Sequence, residues 1–252
     1  MQEFELDKKA IQYIVPYIGS NEFIDGKQRF CLWIDKPEAN AAFAIPKIKE
    51  RIEITKEFRL SSKKKPTREA ASRAHSFLEI RYGKRSRNSM PCIIPIHTSE
   101  NREYLPVGFL PKGSVISNAA FAMYDAPLWS VSLIASKVHL IWIATVCGKI
   151  KTDFRYSNTL GWNTFPVPTL TEQNKADLTR CAEDIVLARE AHFPATISEL
   201  YDPQKMPEDL REAHERNDEV LERIYIGRRF RNDTERLEML FKLYTEMTAQ
   251  KM

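Results

Sequence analysis

Hydrophobic positions in the first two thirds of the chain form short apolar runs separated by turn signals, a pattern typical of mixed α/β sequence. Apolar runs and period-two alternation predict strands at residues 30–34, 77–81, 92–96 and 104–110. The pair Asp25 and Gly26 is a hairpin or turn signal before the first of these strands. Isoleucines at helical spacing predict a helix over residues 41–58, and residues 128–146 predict another that stops near Gly148.

The apolar stretch at residues 128–147 is about long enough to span a membrane. Lys137 and His139 lie near its middle, where a charge would cost several kcal/mol in lipid. The stretch therefore predicts a helix of the protein core, and no membrane partner is expected.

The composition changes after the prolines at positions 166 and 168, which favour an extended backbone. Amphipathic helices are predicted beyond them at residues 171–191, 207–225 and 233–248. We therefore predict an α+β protein with a mixed α/β domain at residues 1–168 and a small all-helical domain at residues 169–252.

Charge follows the same division. The 252 residues are 43% hydrophobic and carry a net charge of only +4, but residues 1–170 hold 25 Lys and Arg against 16 Asp and Glu. Residues 171–252 hold 13 against 18, and residues 61–90 hold 9 against 2. Such asymmetry indicates an anionic partner for the first part, although a solvated basic surface would look the same.

Several kinds of catalytic site have no counterpart in the sequence. There is no glycine-rich phosphate loop, GxSxG elbow or HExxH pair, so a self-contained enzyme is poorly supported. The cysteines are too dispersed for a zinc site and are expected to be free thiols in a reducing cytoplasm, at positions Cys31, Cys92, Cys147 and Cys181. The charged N-terminus predicts no signal peptide. The histidines are equally dispersed and are expected to be structural hydrogen-bonding groups, at positions His75, His97, His139, His192 and His214.

Two basic clusters suit contact with phosphate. They comprise Lys63, Lys64 and Lys65 before a predicted helix, and Arg81, Lys84, Arg85 and Arg87 after a predicted strand. Such clusters bind phosphate without reading sequence. The alternative is a loop that only improves solubility.

The segment at residues 148–157 suits base recognition. Interpreted as one strand, it places four polar side chains on one face about 7 Å apart, namely Lys149, Lys151, Asp153 and Arg155. Lys and Arg donate to guanine, and Asp accepts from cytosine. The alternative is an ordinary exposed face with a Lys–Asp pair.

Four ordered blocks resemble the target recognition domain of MmeI-like DNA methyltransferases, the large fused restriction-modification enzymes that methylate adenine. They lie at residues 19–34, 58–63, 99–109 and 146–157. The ending at residues 163–166 resembles the family's Asn-Asn-Phe-Pro, from which Thr164 departs. Residues 200–218 resemble the small helical domain that closes these proteins.

The resemblance implies the DNA target recognition region of an adenine-specific, S-adenosylmethionine-dependent methyltransferase. Double-stranded DNA and a methyltransferase catalytic domain, fused or separate, are the implied partners. No catalytic, cofactor-binding or metal site is expected in this chain, and S-adenosylmethionine is expected in the catalytic portion. The resemblance assigns base-specifying positions to the strand before Arg155, and so to Lys149, Lys151 and Asp153. The alternative function is a protein-interaction or scaffold module that pairs with another subunit.

Overall fold

The computed structural model describes residues 8–80 and 89–249. The chain divides into two compact units, and each combines segments that are distant in sequence. Of the described residues, the first unit contains 8–18, 28–80, 89 and 111–115, and the second contains the remainder. The predicted division after residue 168 separates segments of different composition and stays a prediction.

The described part of the first unit contains a small three-stranded sheet and three α-helices. Strand β1 (Ile14–Ile18) pairs with β2 (Phe30–Leu32), with Val15 opposite Cys31, and β6 (Val115–Ile116) is on the other side of β1. The helices are α2 (Ala39–Phe43), α3 (Pro46–Leu60) and α4 (Lys65–Glu69). The predicted helix over residues 41–58 is divided because Pro46, which has no N–H to donate, starts α3.

Arg59 organises the segment that follows α4. Its side chain is buried, and its Nη1 donates to the carbonyls of Ala70 (2.9 Å) and Arg73 (3.0 Å). Arg73 in turn donates to the carbonyls of Phe77 and Leu78, at 2.8 Å each. The predicted strand at residues 77–81 is wrong for the described residues 77–80, whose first two carbonyls bind a guanidinium instead of a neighbouring strand.

The second unit contains two three-stranded sheets. In one, β3 (Cys92–Pro95) lies between β5 (Gly108–Phe109) and β7 (Ala120–Met123). In the other, β9 (Asp153–Arg155) lies between β4 (His97–Thr98) and β8 (Gly148–Ile150). The strand predicted at residues 92–96 is confirmed, whereas only Gly108 and Phe109 are strand within residues 104–110.

Helices form the rest of the second unit. They are α1 (Ser20–Asp25), α5 (Trp129–Ile134), α6 (Lys137–Val146), α7 (Glu172–Ala191), α8 (Ile197–Leu200), α9 (Glu208–Ile226) and α10 (Asp233–Ala249). The three helices predicted after residue 168 are confirmed, and so is the α+β class. Gly26, in a left-handed conformation at φ 66°, ends α1 rather than turning a hairpin.

The apolar stretch from residue 128 to 146 forms two helices instead of one. Its break lies at Ser136, whose Oγ accepts a hydrogen bond from the backbone N–H of His139 (3.1 Å) and donates to the carbonyl of Leu133 (2.7 Å). A serine that bonds locally in this way favours a helix start over a helix interior. None of the described helices is long and apolar enough to cross a membrane.

Helix α9 buries a polar face. Its buried polar side chains are His214, Asn217, Asp218 and Glu222, which lie at helical spacing on one side. Asp218 accepts from the backbone N–H of Lys137 (2.8 Å) and from the hydroxyl of Tyr104 (3.1 Å). Asn217 donates to the carbonyl of Ser132 at 3.0 Å. Each of these bonds fixes a different segment against α9.

Glu222 joins α9 to α10. Its fully buried carboxylate accepts from Nε of Arg236 at 2.8 Å and from the backbone N–H of Phe230 at 3.0 Å. Arg236 also lies 2.6 Å from Asp233 at the start of α10. The guanidinium would be left buried beside an empty space if this carboxylate were removed.

We expect Glu222→Ala to lower the free energy of unfolding by about 3 kcal/mol, because the buried guanidinium of Arg236 is left with the exposed carboxylate of Asp233 in place of a buried partner. Glu219→Ala is the matched control: it breaks an exposed i,i+4 pair with Arg223 on the same helix and should cost less than about 0.5 kcal/mol. Urea denaturation followed by circular dichroism measures both. Equal losses for the two variants would contradict the structural role of Glu222.

Candidate nucleic-acid interface

Residues 148–155 form a hairpin rather than the single strand predicted from their alternation. Strands β8 and β9 pair antiparallel, with Ile150 opposite Asp153 and Gly148 opposite Arg155. The chain reverses at Lys151, which adopts a left-handed conformation at φ 57°. The single-strand prediction is wrong because this turn residue is a lysine, whereas glycine and asparagine are the usual signals for such a conformation.

The reversal redistributes the predicted base-reading side chains. Side chains alternate between the two faces along a strand, so Asp153 and Arg155, two residues apart on β9, share one face of the hairpin. Residues directly opposite one another in an antiparallel pair also point to the same face. Lys149 is opposite Phe154 on the other face. The expectation that Lys149, Asp153 and Arg155 share a face is therefore wrong for Lys149, and Lys151 lies in the turn.

Lys149 contacts Phe154 and Glu100. Its Nζ lies 5.1 Å from the centroid of the Phe154 ring and 3.5 Å from the carboxylate of Glu100. Phe154 packs against the hydrophobic core, so its face of the hairpin is directed inward. The ammonium of Lys149 is thus partly neutralised at the edge of that face.

The outward face is exposed, and besides its polar side chains it carries Ile150, which lies opposite Asp153. Strand β4 extends it, because His97 pairs directly with Arg155. Asp153 and Arg155 are both exposed, as is His97. The face therefore combines a carboxylate acceptor, a guanidinium donor and an imidazole, the groups that recognise base edges in a groove.

Arg102 is a second cation close to this hairpin. Its Nη1 lies 3.5 Å from Oγ1 of Thr98. Burial lowers the pKa of Arg102, and the carboxylate of Asp153 partly offsets that lowering. The sequence prediction missed Arg102 and His97. Both are about fifty residues from the hairpin in sequence, and only the pairing of β4 with β9 brings them close.

The base of the hairpin is fixed in the core. The backbone N–H of Tyr156 donates to the carbonyl of Ile96 at 2.7 Å, and its hydroxyl lies 3.1 Å from Nε2 of His139. Burial lowers the pKa of His139 to about 3, so this imidazole is neutral at pH 7. A rigid anchor of this kind holds the exposed side chains in a defined arrangement.

The first basic cluster lies at the start of α4 in the first unit. Lys63, Lys64 and Lys65 are all exposed. The ammonium of Lys65 lies 3.9 Å from Glu69, whereas Lys63 and Lys64 have no carboxylate of a described residue within ion-pair distance. The second cluster, Arg81, Lys84, Arg85 and Arg87, lies outside the described residues.

Other groups in the described part of the chain serve structure. No group of three or more His, Cys, Asp or Glu side chains there could hold a metal ion. The four cysteines are free thiols, as predicted, and three of them are buried. His214 bonds Tyr201 at 2.7 Å, and burial holds its pKa well below the usual value. His139 and His214 are thus structural, as predicted.

Two protein-family models together match the whole chain. Residues 1–169 match the family described as MmeI, target recognition domain, and residues 170–252 match MmeI, C-terminal domain. A protein named DNA methyltransferase A from Bacillus subtilis (strain 168) is 37% identical over 242 residues, which are 96% of this chain and 27% of that protein.

A solved structure of the Type IIL restriction-modification enzyme MmeI in complex with DNA is similar at a TM-score of 0.90 and 31% sequence identity. The similarity covers 98% of this chain and 33% of that one. The chain therefore spans about a quarter to a third of the length of these relatives.

The turn of the hairpin can be tested at Lys151. A β-branched residue is strongly disfavoured at positive φ, so Lys151→Val should cost about 1 kcal/mol of local stability, whereas Lys151→Gly should relieve the turn. Amide hydrogen exchange over residues 148–155 should be about fivefold faster in Lys151→Val. Lys149→Val is the control, because a strand accepts valine. Equal exchange in Lys151→Val and Lys151→Gly would contradict the observed turn.

Proposed function

The chain belongs to the family of MmeI target recognition and C-terminal domains, and we propose that it recognises the target sequence of a restriction-modification DNA methyltransferase in double-stranded DNA. The observation that carries the proposal is the exposed face of the 148–155 hairpin, where Asp153 and Arg155 extend from an anchored base. Such a two-stranded ribbon fits the major groove, where each base pair presents a distinct pattern of donors and acceptors.

The catalytic activity belongs to the rest of the enzyme. We infer that a methyltransferase catalytic domain, fused or separate, transfers the methyl group to adenine N6 and binds S-adenosylmethionine. No glycine-rich loop in this sequence suits that cofactor. We expect the chain in the cytoplasm with the DNA that it reads.

Among the predicted base readers, Asp153 and Arg155 are the best placed because they share the outward face. Lys151 lies at the tip of the hairpin, where it remains exposed. Lys149 remains a candidate from the family resemblance, but it must give up its contact with Glu100 to reach a base. We therefore rank Asp153 and Arg155 first.

In the complete enzyme, Asp153→Ala and Arg155→Ala should each relax recognition at one base position. Each good contact to a base supplies about 1–3 kcal/mol of discrimination, so relaxation should be about 5- to 150-fold. Sequencing of methylated genomic DNA identifies the sites used. Glu172→Ala removes an exposed carboxylate at the start of α7 and should leave the target unchanged. If Asp153→Ala and Arg155→Ala also retain the original target, the hairpin does not read bases.

Lys63 and Lys64 should hold phosphates. Replacing both by alanine should weaken binding to all sequences, and should reduce the slope of log K against log salt by about 0.9 for each phosphate that the protein no longer neutralises. Binding titrations of the complete enzyme at several salt concentrations measure this slope. The control is Lys56→Ala, whose ammonium lies 3.5 Å from Glu53. A slope unchanged from the parent protein would favour a loop that only aids solubility.

A further inference from the structure

A cavity of about 510 Å³ lies within the first unit, a volume typical of small-molecule sites. Its walls come from the edge strand β2, one side of α3 and the segment at residues 74–77. These residues all belong to one compact unit, whereas the 148–155 hairpin belongs to the other. The cavity is therefore a candidate binding site separate from the hairpin proposed to read bases.

One wall of the cavity is a row along α3. Arg51, Thr55 and Arg59 recur every four residues, so they lie on one side of the helix and all line the cavity. Arg51 is exposed, and no described carboxylate lies within ion-pair distance of it. Its guanidinium is therefore available to a ligand.

Arg59 contributes a fixed positive charge. Its guanidinium donates to backbone carbonyls, including that of Ser76 at 2.7 Å, and these bonds hold it in place without neutralising it. Burial and the neighbouring Arg73 lower the pKa of Arg59, but an arginine side chain stays protonated at neutral pH. A buried cation compensated only by carbonyls favours a nearby anion.

The remaining walls add one further arginine, a histidine whose pKa burial lowers, and two aromatic rings. Arg29 and His75 line the cavity, and none of the described lining residues is acidic. Phe30 and Phe77 also line it, and the ring of Phe77 stacks on Tyr17 with centroids 5.6 Å apart. Arginines suit phosphate oxygens, and an aromatic ring held flat suits stacking of a base.

We propose that this cavity binds a nucleotide, with its phosphate on Arg51 and its base against Phe77. The nucleotide is either free or part of a DNA strand, because both carry the same phosphate ester and ring. The site is distinct from the base-reading hairpin and does not require it.

The test compares two charge deletions on α3. Arg51→Ala removes a cation that lines the cavity, and Lys49→Ala removes an exposed cation of the same helix that does not. Calorimetric titration of the full chain with dAMP should show a Kd raised about tenfold by Arg51→Ala, or about 1.4 kcal/mol, and nearly unchanged in Lys49→Ala. Inorganic phosphate should bind more weakly than dAMP, because it offers no ring.

A parallel titration with duplex DNA separates the two sources. Weaker dAMP binding with unchanged duplex affinity in Arg51→Ala identifies a free nucleotide, and weaker binding of both dAMP and the duplex identifies a nucleotide of a DNA strand. Both results support the site. The proposal is overturned if Arg51→Ala weakens dAMP binding no more than Lys49→Ala does, or if inorganic phosphate binds as tightly as dAMP.

Discussion

The second unit depends on the polar face that α9 buries. A buried carboxylate is costly unless its oxygens find donors, so a helix that buries Asp218 and Glu222 restricts the arrangement of its neighbours. Asp218 accepts a hydrogen bond from the start of α6, and Glu222 accepts one from α10. Burial raises the pKa of Asp218 to about 6, which shows how much of its usual hydration it gives up. An apolar face would pack more tolerantly but would not specify these partners.

This constraint extends from the helical end of the chain to the exposed hairpin. Asp218 binds the first N–H of α6, where the helix dipole favours a negative charge. His139, two residues after Lys137, forms a hydrogen bond through Nε2 with the hydroxyl of Tyr156. The backbone N–H of Tyr156 in turn donates to the carbonyl of Ile96, next to β4. The acidic helices thus support the hairpin through a short series of hydrogen bonds. Under the proposed function, the charge difference between the two parts of the sequence separates residues that face DNA from residues that build their support.

Sequence reasoning succeeded where one local pattern decides the structure. The three helices after residue 168 and the strand at Cys92–Pro95 were predictable from periodicity alone. It failed where a single side chain overrides the pattern, as Arg73 does at residue 77 and Lys151 does in the hairpin. The family could be recognised from ordered blocks, but the pairing of β4 with the hairpin depends on contacts that no short segment contains.

The arrangement of the hairpin separates specificity from stability. Asp153 and Arg155 are exposed on the outward face, while the inward Phe154 and the anchored Tyr156 connect the hairpin to the core. Replacing an outward side chain therefore removes no core packing, whose loss is a main cause of large stability losses. Asp153 differs from Arg155 in that its carboxylate also offsets the burial of Arg102. Phosphate contacts, which carry no sequence information, can supply affinity from elsewhere. Under the proposed function, these tasks fall on different residues, so the outward side chains can change with the DNA target while the fold stays the same.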